Sequence, residues 1–203
     1  MKKKILIMAA LVQVSTLTAF GQATITKEDR TAAIEHLKQT QNELLKTIKG
    51  LTEEQLNYKP SEDSWSVAEC VEHLAISESS IFALVAKSMN EEANPSRRSE
   101  LKFDDEGIVK MISDRSYKVK TSKPFEPSGK FGDFKGSLSE FKNQRKNNIK
   151  YVKTTDEDLR NHFFEFPFGL ADTYQVIRFM SGHTTRHTKQ IKEIIASDGY
   201  PAS

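Results

Sequence analysis

The stretch Met180-Ser-Gly-His-Thr-Thr-Arg-His-Thr-Lys-Gln-Ile191 sets His183 and His187 four residues apart, which stacks two side chains one turn apart on one face of an α-helix. Val176, Met180, His183, His187, Ile191 and Ile194 share the same helical spacing, so both imidazoles fall on the stripe that a bundle turns inward. Two inward imidazoles at this spacing make either a bidentate clamp for a metal ion or a hydrogen-bonded polar pair in the core. The rest of the chain decides between them.

Helical periodicity dominates upstream. Thr26, followed by Glu28 and Asp29, reads as a cap with acids in the first turn. Ile34, Leu37, Gln41, Leu44, Leu45 and Ile48 form the inward stripe of that helix, and Gly50 closes it. Leu51 to Leu56 makes a short capped turn, and Tyr58-Lys59-Pro60 leaves it extended. Ser66-Val-Ala-Glu69 is a capping box that starts a second long helix running to about Met89. Its inward set is Val67, Cys70, Val71, Leu74, Ile81, Leu84 and Val85, with His73 on the flank. Asn90 to Gly136 is irregular, with a short amphipathic helix over Glu106–Tyr117 and a Pro/Gly loop over Lys123–Gly129, the makings of a lid or site rim, with disordered chain as the alternative. Ser137-Leu-Ser-Glu140 reads as the start of a third long helix ending near Thr154. The aromatic-rich Asp156–Gly169 crosses one end of the molecule, Asp172 or Thr173 caps the last helix, and Asp198-Gly199 stops it. No strand run stands out. The expectation is an all-α four-helix bundle with a long irregular insertion between the second and third main helices.

Met1-Lys-Lys-Lys4, an apolar run from Ile5 that stays mostly apolar to Phe20, and Ala19-Phe-Gly21 together read as a signal peptide over residues 1–21. The run is too short and polar for a spanning helix, so the expected product is an exported protein, periplasmic or secreted, without stable membrane insertion. Residues 22–203 then form one helical domain. Losing three lysines and no acid takes the formal charge from +2 to about −1, which removes any general nucleic-acid footprint. Lys142, Arg145, Lys146 and Lys150 read as the solvated side of a helix. Cys70 has no partner cysteine and reads as a small buried apolar residue.

Neutral imidazole suits zinc, nickel and ferrous iron, and three protein ligands with one open position is the usual catalytic arrangement. The last helix supplies two of the five histidines, and His73 is the third candidate because its helix can face the last one. His36, beside the exposed Glu35, and His162, before the aromatic crossover, are less apt. Glu72 points about 100° away from its neighbour His73 and reads as a surface acid or a partner to a ligand. Arg186 reads as a structural ion pair or an anion contact at the mouth, and Gln190 as a group able to orient the His187 ring. Trp65 reads as a core plug.

Trp65-Ser-Val-Ala-Glu-Cys-Val-Glu-His73-Leu, followed by His183-Thr-Thr-Arg-His187-Thr-Lys-Gln190-Ile, resembles the DinB/YfiT superfamily of metal-dependent enzymes. Leu51-Thr-Glu-Glu-Gln-Leu56 and Tyr58-Lys-Pro60 resemble that family's approach to its second helix, and the similarity spans about residues 27–198. The resemblance implies a four-helix bundle with a divalent metal on His73, His183 and His187. It also implies a reaction class no narrower than hydrolysis or group transfer, since members include thiol S-transferases and a thiol-dependent isomerase. An export signal points away from small-thiol chemistry, which belongs in a reducing cytoplasm.

The expected function is therefore a metal-dependent hydrolase or group transferase acting on a small molecule. The alternatives are a non-catalytic metal-binding bundle, or a partner-binding bundle whose histidines are polar core. A homodimer is compatible with either.

Overall fold

The computed structural model describes residues 25–202; the expected signal peptide lies outside the described residues. Four long helices make the body: α1 (Lys27–Thr47), α3 (Val67–Met89), α5 (Phe134–Thr154) and α6 (Thr173–Ile195). Two short ones, α2 (Glu53–Asn57) and α4 (Asp105–Ser113), flank them, and a hairpin of β1 (Phe163–Phe166) and β2 (Gly169–Asp172) precedes α6. Both α1 and α3 pack against α5 and α6, so α1 and α3 stand diagonally opposite in a four-helix bundle. Among the described residues no helix is long and apolar enough to cross a membrane.

The caps explain where these helices start. Thr26, Thr52, Ser66 and Asp172 each head a capping box, accepting from the N–H three residues on while that residue's side chain returns to the cap's own N–H. The third long helix starts earlier than its Ser137 box suggests, because Asp133 caps it through the Gly136 N–H at 2.7 Å. Gly136 makes that tight entry possible, since a Cβ there would lie 2.1 Å from the Phe131 carbonyl oxygen.

The aromatic crossover is an antiparallel hairpin rather than featureless chain, with Phe163 opposite Asp172 and Phe166 opposite Gly169. Gly169, at φ +127°, takes a backbone conformation that other residues avoid. Asp172 ends β2 and caps α6 through the Gln175 N–H, so the hairpin fixes the start, and hence the register, of the helix that carries two histidines. Phe166, Phe168 and Phe179 stack in a row that ends on the His183 ring.

The apolar core is divided by a buried polar layer. Leu37, Val85, Val152 and Ile177 belong to one half, and Leu44, Val71, Phe141 and Ile191 to the other. Between them Arg145, fully buried, forks onto Glu78 at 2.6 and 2.8 Å and reaches the Leu37 carbonyl, Thr40 and Thr184. Asn148 adds a second donor to Glu78. This layer corrects the reading of Arg145 as part of a solvated basic face: an ion pair with its remaining donors and acceptors filled is what lets a guanidinium stay in a core. All four long helices contribute to it.

The insertion is more ordered than its sequence suggests. It holds α4 and two 3₁₀ turns, Pro95–Glu100 and Lys123–Phe125. α4 lies directly on α6, where Gly182 admits it: a Cβ at Gly182 would stand 2.2 Å from Ile112 Cγ2. A mid-helix glycine costs roughly 1 kcal/mol against alanine, and close packing beside His183 accounts for it here.

Candidate metal centre

α3 and α6 pack along each other and bring His73, about two turns inside the capped start of α3, against the middle of α6. His73 Nε2 lies 3.2 Å from His183 Nε2, and His187 Nε2 lies 3.2 Å from the same atom. One ring nitrogen from each residue falls within 4.8 Å of the others, and among the described residues this is the one group of three such donors. Three nitrogens held about 2.1 Å from a single ion stand roughly 3–3.5 Å apart, so the spacing fits the triad to one ion.

The proton positions fit as well. His73 Nδ1 sits 2.7 Å from the Phe125 carbonyl oxygen, which can only accept, so Nδ1 carries the proton and Nε2 a lone pair. His187 Nδ1 donates in the same way to Gln190 Oε1 at 2.9 Å. Burial holds His73 below the ordinary histidine value. His183 and His187 are held well below it, by burial first and then by neighbouring imidazoles. Two of the three rings thus turn a lone pair toward His183 Nε2, an arrangement that suits a cation shared by the three nitrogens and equally a proton carried by His183 Nε2.

The surrounding residues correct several expectations. Glu72 is buried, not a surface acid: its Oε1 accepts from the Ser128 and Lys130 N–H groups at 3.0 and 2.8 Å. Adjacent residues of α3 thus tie down one loop, Glu72 at 128–130 and His73 at 125. Among the described residues Arg186 forms no ion pair; it donates to the Asp114 and Tyr117 carbonyls and clamps the exit of α4. Trp65 is more than a core plug, since its ring packs on His73 at 4.8 Å and stacks on His187 at 6.0 Å between centroids. Gln190 orients His187 as its spacing suggests. His36 and His162 stay apart from the triad, His162 bonding the Ser88 carbonyl. Cys70 is fully buried, and that burial pushes its thiol far up, out of reach of ionisation at neutral pH.

A cavity of about 630 Å³ opens beside His187, lined by Trp65, Gln190, Arg115, Lys118, Lys120 and Glu126 among others. Arg115 is held by a two-pronged bond to Glu193. Glu126 follows directly on Phe125, the His73 partner. No sequence signal marks Glu126, which comes from irregular chain, and Arg115 lies just past the end of α4 at Ser113 rather than within a helix reaching Tyr117.

A family model for the DinB superfamily matches residues 36–191. The chain belongs to the DinB superfamily. The uncharacterized protein YuaE of Bacillus subtilis (strain 168) is 30% identical to this DinB-superfamily chain over 150 residues, covering 72% of the chain and 87% of YuaE. Among solved structures, YfiT from Bacillus subtilis superposes with a TM-score of 0.57 at 19% identity, covering 88% of this chain and 92% of YfiT. YfiT is described as a probable metal-dependent hydrolase with an unusual four-helix bundle topology. At that identity the likeness concerns the fold, and this DinB-superfamily chain shares it.

Proposed function

We propose that this chain is an exported metal-dependent hydrolase or group transferase for a small polar molecule, with a divalent ion on His73, His183 and His187. The observation that carries the reading is the convergence of three Nε2 atoms, with the lone pairs of His73 and His187 fixed by their Nδ1 bonds to Phe125 and Gln190. Zinc, nickel and ferrous iron all accept such a donor set. Bound there, the ion would supply a Lewis acid and make a nucleophile available at neutral pH.

The chain's own residues do the rest. Phe125 and Gln190 hold the rings in one tautomer, and Trp65 covers the His73 and His187 faces and keeps water from them. The cavity borders His187 but neither His73 nor His183; access from it to the ion would favour turnover over a closed structural site. Its wall carries Lys118, Lys120, Asp63 and Glu126, which suits a small substrate bearing polar or charged groups. None of these four side chains hydrogen-bonds to another described residue.

The test is a panel of esters, amides and thiol–electrophile pairs assayed on tag-free protein, metal-stripped and reloaded. Turnover that disappears on stripping, returns on reloading and is lost in folded His183→Ala protein supports the reading. No metal-dependent turnover across the panel, by protein that does hold the ion, replaces it with a non-catalytic metal-binding bundle. Export is tested by the intact mass of secreted or periplasmic material, which should lack residues 1–21.

A further inference from the structure

Most hydroxyls inside these helices follow one habit, from which Ser77 and the unpartnered Ser181 depart. Ser80 donates to the Ile76 carbonyl, Ser88 to Val85, Thr184 to Met180, Thr185 to Ser181 and Thr188 to Thr184. Each returns its proton to the preceding turn, the usual outlet for a serine or threonine inside a helix. Ser77 is 1% exposed, and its one hydrogen-bond partner among the described residues is His73 Nε2, at 3.4 Å. That nitrogen is the one that faces His183.

Because His73 Nδ1 carries the ring proton, Nε2 is an acceptor and the Ser77 hydroxyl points its hydrogen toward the centre of the triad. An ion on the three histidines takes that lone pair and leaves a buried hydroxyl in need of another acceptor. Helix α3 therefore presents two groups to the same point from successive turns, an imidazole and, four residues on, a hydroxyl.

We infer that Ser77 is a fourth protein group of the metal centre, a positioning residue whose hydroxyl holds the ligand that the ion carries outside the three histidines. The inference rests on the metal reading above and goes beyond it by assigning the non-histidine side of the ion to α3.

Cobalt(II) is the probe, titrated into metal-free, tag-free wild-type, Ser77→Ala and Ser77→Cys proteins whose helicity is first matched by circular dichroism. Wild-type protein takes one cobalt per chain and shows ligand-field bands without a thiolate charge-transfer band. Ser77→Cys gains a sulfur-to-cobalt charge-transfer band in the near ultraviolet, because the new thiol stands where the hydroxyl faced the ion. Ser77→Ala binds about tenfold or more weakly with altered ligand-field bands. A folded Ser77→Cys without that band, together with Ser77→Ala of wild-type affinity and spectrum, overturns the assignment of Ser77 alone. Wild-type protein that takes up no cobalt overturns the metal reading itself.

Discussion

Gln190 Oε1 accepts a hydrogen bond from His187 Nδ1 across 2.9 Å, one turn further along α6, and so fixes which nitrogen of that ring faces its two neighbours. Partners of this kind typically account for about 10–100-fold in metal affinity. Gln190→Ala should therefore weaken divalent-metal binding by that order while leaving the helix content unchanged. Competition against a chromophoric chelator measures it, and wild-type affinity in the variant would show that His187 needs no such anchor.

Glu72 holds the rim loop rather than the reaction. With Glu72→Ala, the Ser128 and Lys130 N–H groups lose their shared acceptor, and the loop that also carries Phe125 should open more often. Amide exchange should quicken over residues 125–130 and stay unchanged in the middle of α5. Uniform quickening through the bundle would mean that Glu72 stabilises the whole fold instead.

The Arg145–Glu78 pair should be costly to break and cheap to replace. Arg145→Met leaves Glu78 buried without its counter-charge, a loss of about 3–5 kcal/mol in comparable sites. Arg145→Met combined with Glu78→Met should be less destabilised than the single variant, because no unpaired charge remains. Urea unfolding checks the ordering, and a single variant within about 1 kcal/mol of wild type would contradict a fully buried pair.

Acid should destabilise the protein through its histidines. Burial holds His36, His73, His183 and His187 below their ordinary value of 6.5 in the folded state. As pH falls below about 6.5 the unfolded chain takes up protons that the folded chain refuses, so stability is full above that pH and declines toward the folded values. Metal binding acts in the same direction, since ion and proton compete for the same nitrogens. The melting temperature of metal-free protein should drop between about pH 7.5 and about pH 5, and that of metal-loaded protein should drop further. A flat profile in both forms would mean that these rings titrate normally.

Capping and periodicity carried much of this structure openly. The Thr26, Ser66 and Asp172 caps and the apolar stripes were readable because both depend on residues three or four apart. The triad was readable for the same reason on α6, while His73 needed the added inference that its helix faces the last one. Arg145 was misread because a charged residue in a run of lysines looks solvated, and only Glu78, 67 residues away, explains its burial. The hairpin escaped because four-residue strands are too short to establish a period, and its stability comes from stacking on Phe179. Glu72 and Arg186 owe their contacts to loops whose path is set by tertiary packing.

The central claim is that His73, His183 and His187 hold one divalent ion, and elemental analysis of tag-free protein tests it most directly. Wild-type protein should contain one equivalent of zinc, nickel or iron per chain, and folded His187→Ala protein should contain none, since alanine keeps the helix but removes a ligand. Wild-type protein devoid of metal after reconstitution, or a full equivalent retained by His187→Ala, would contradict it.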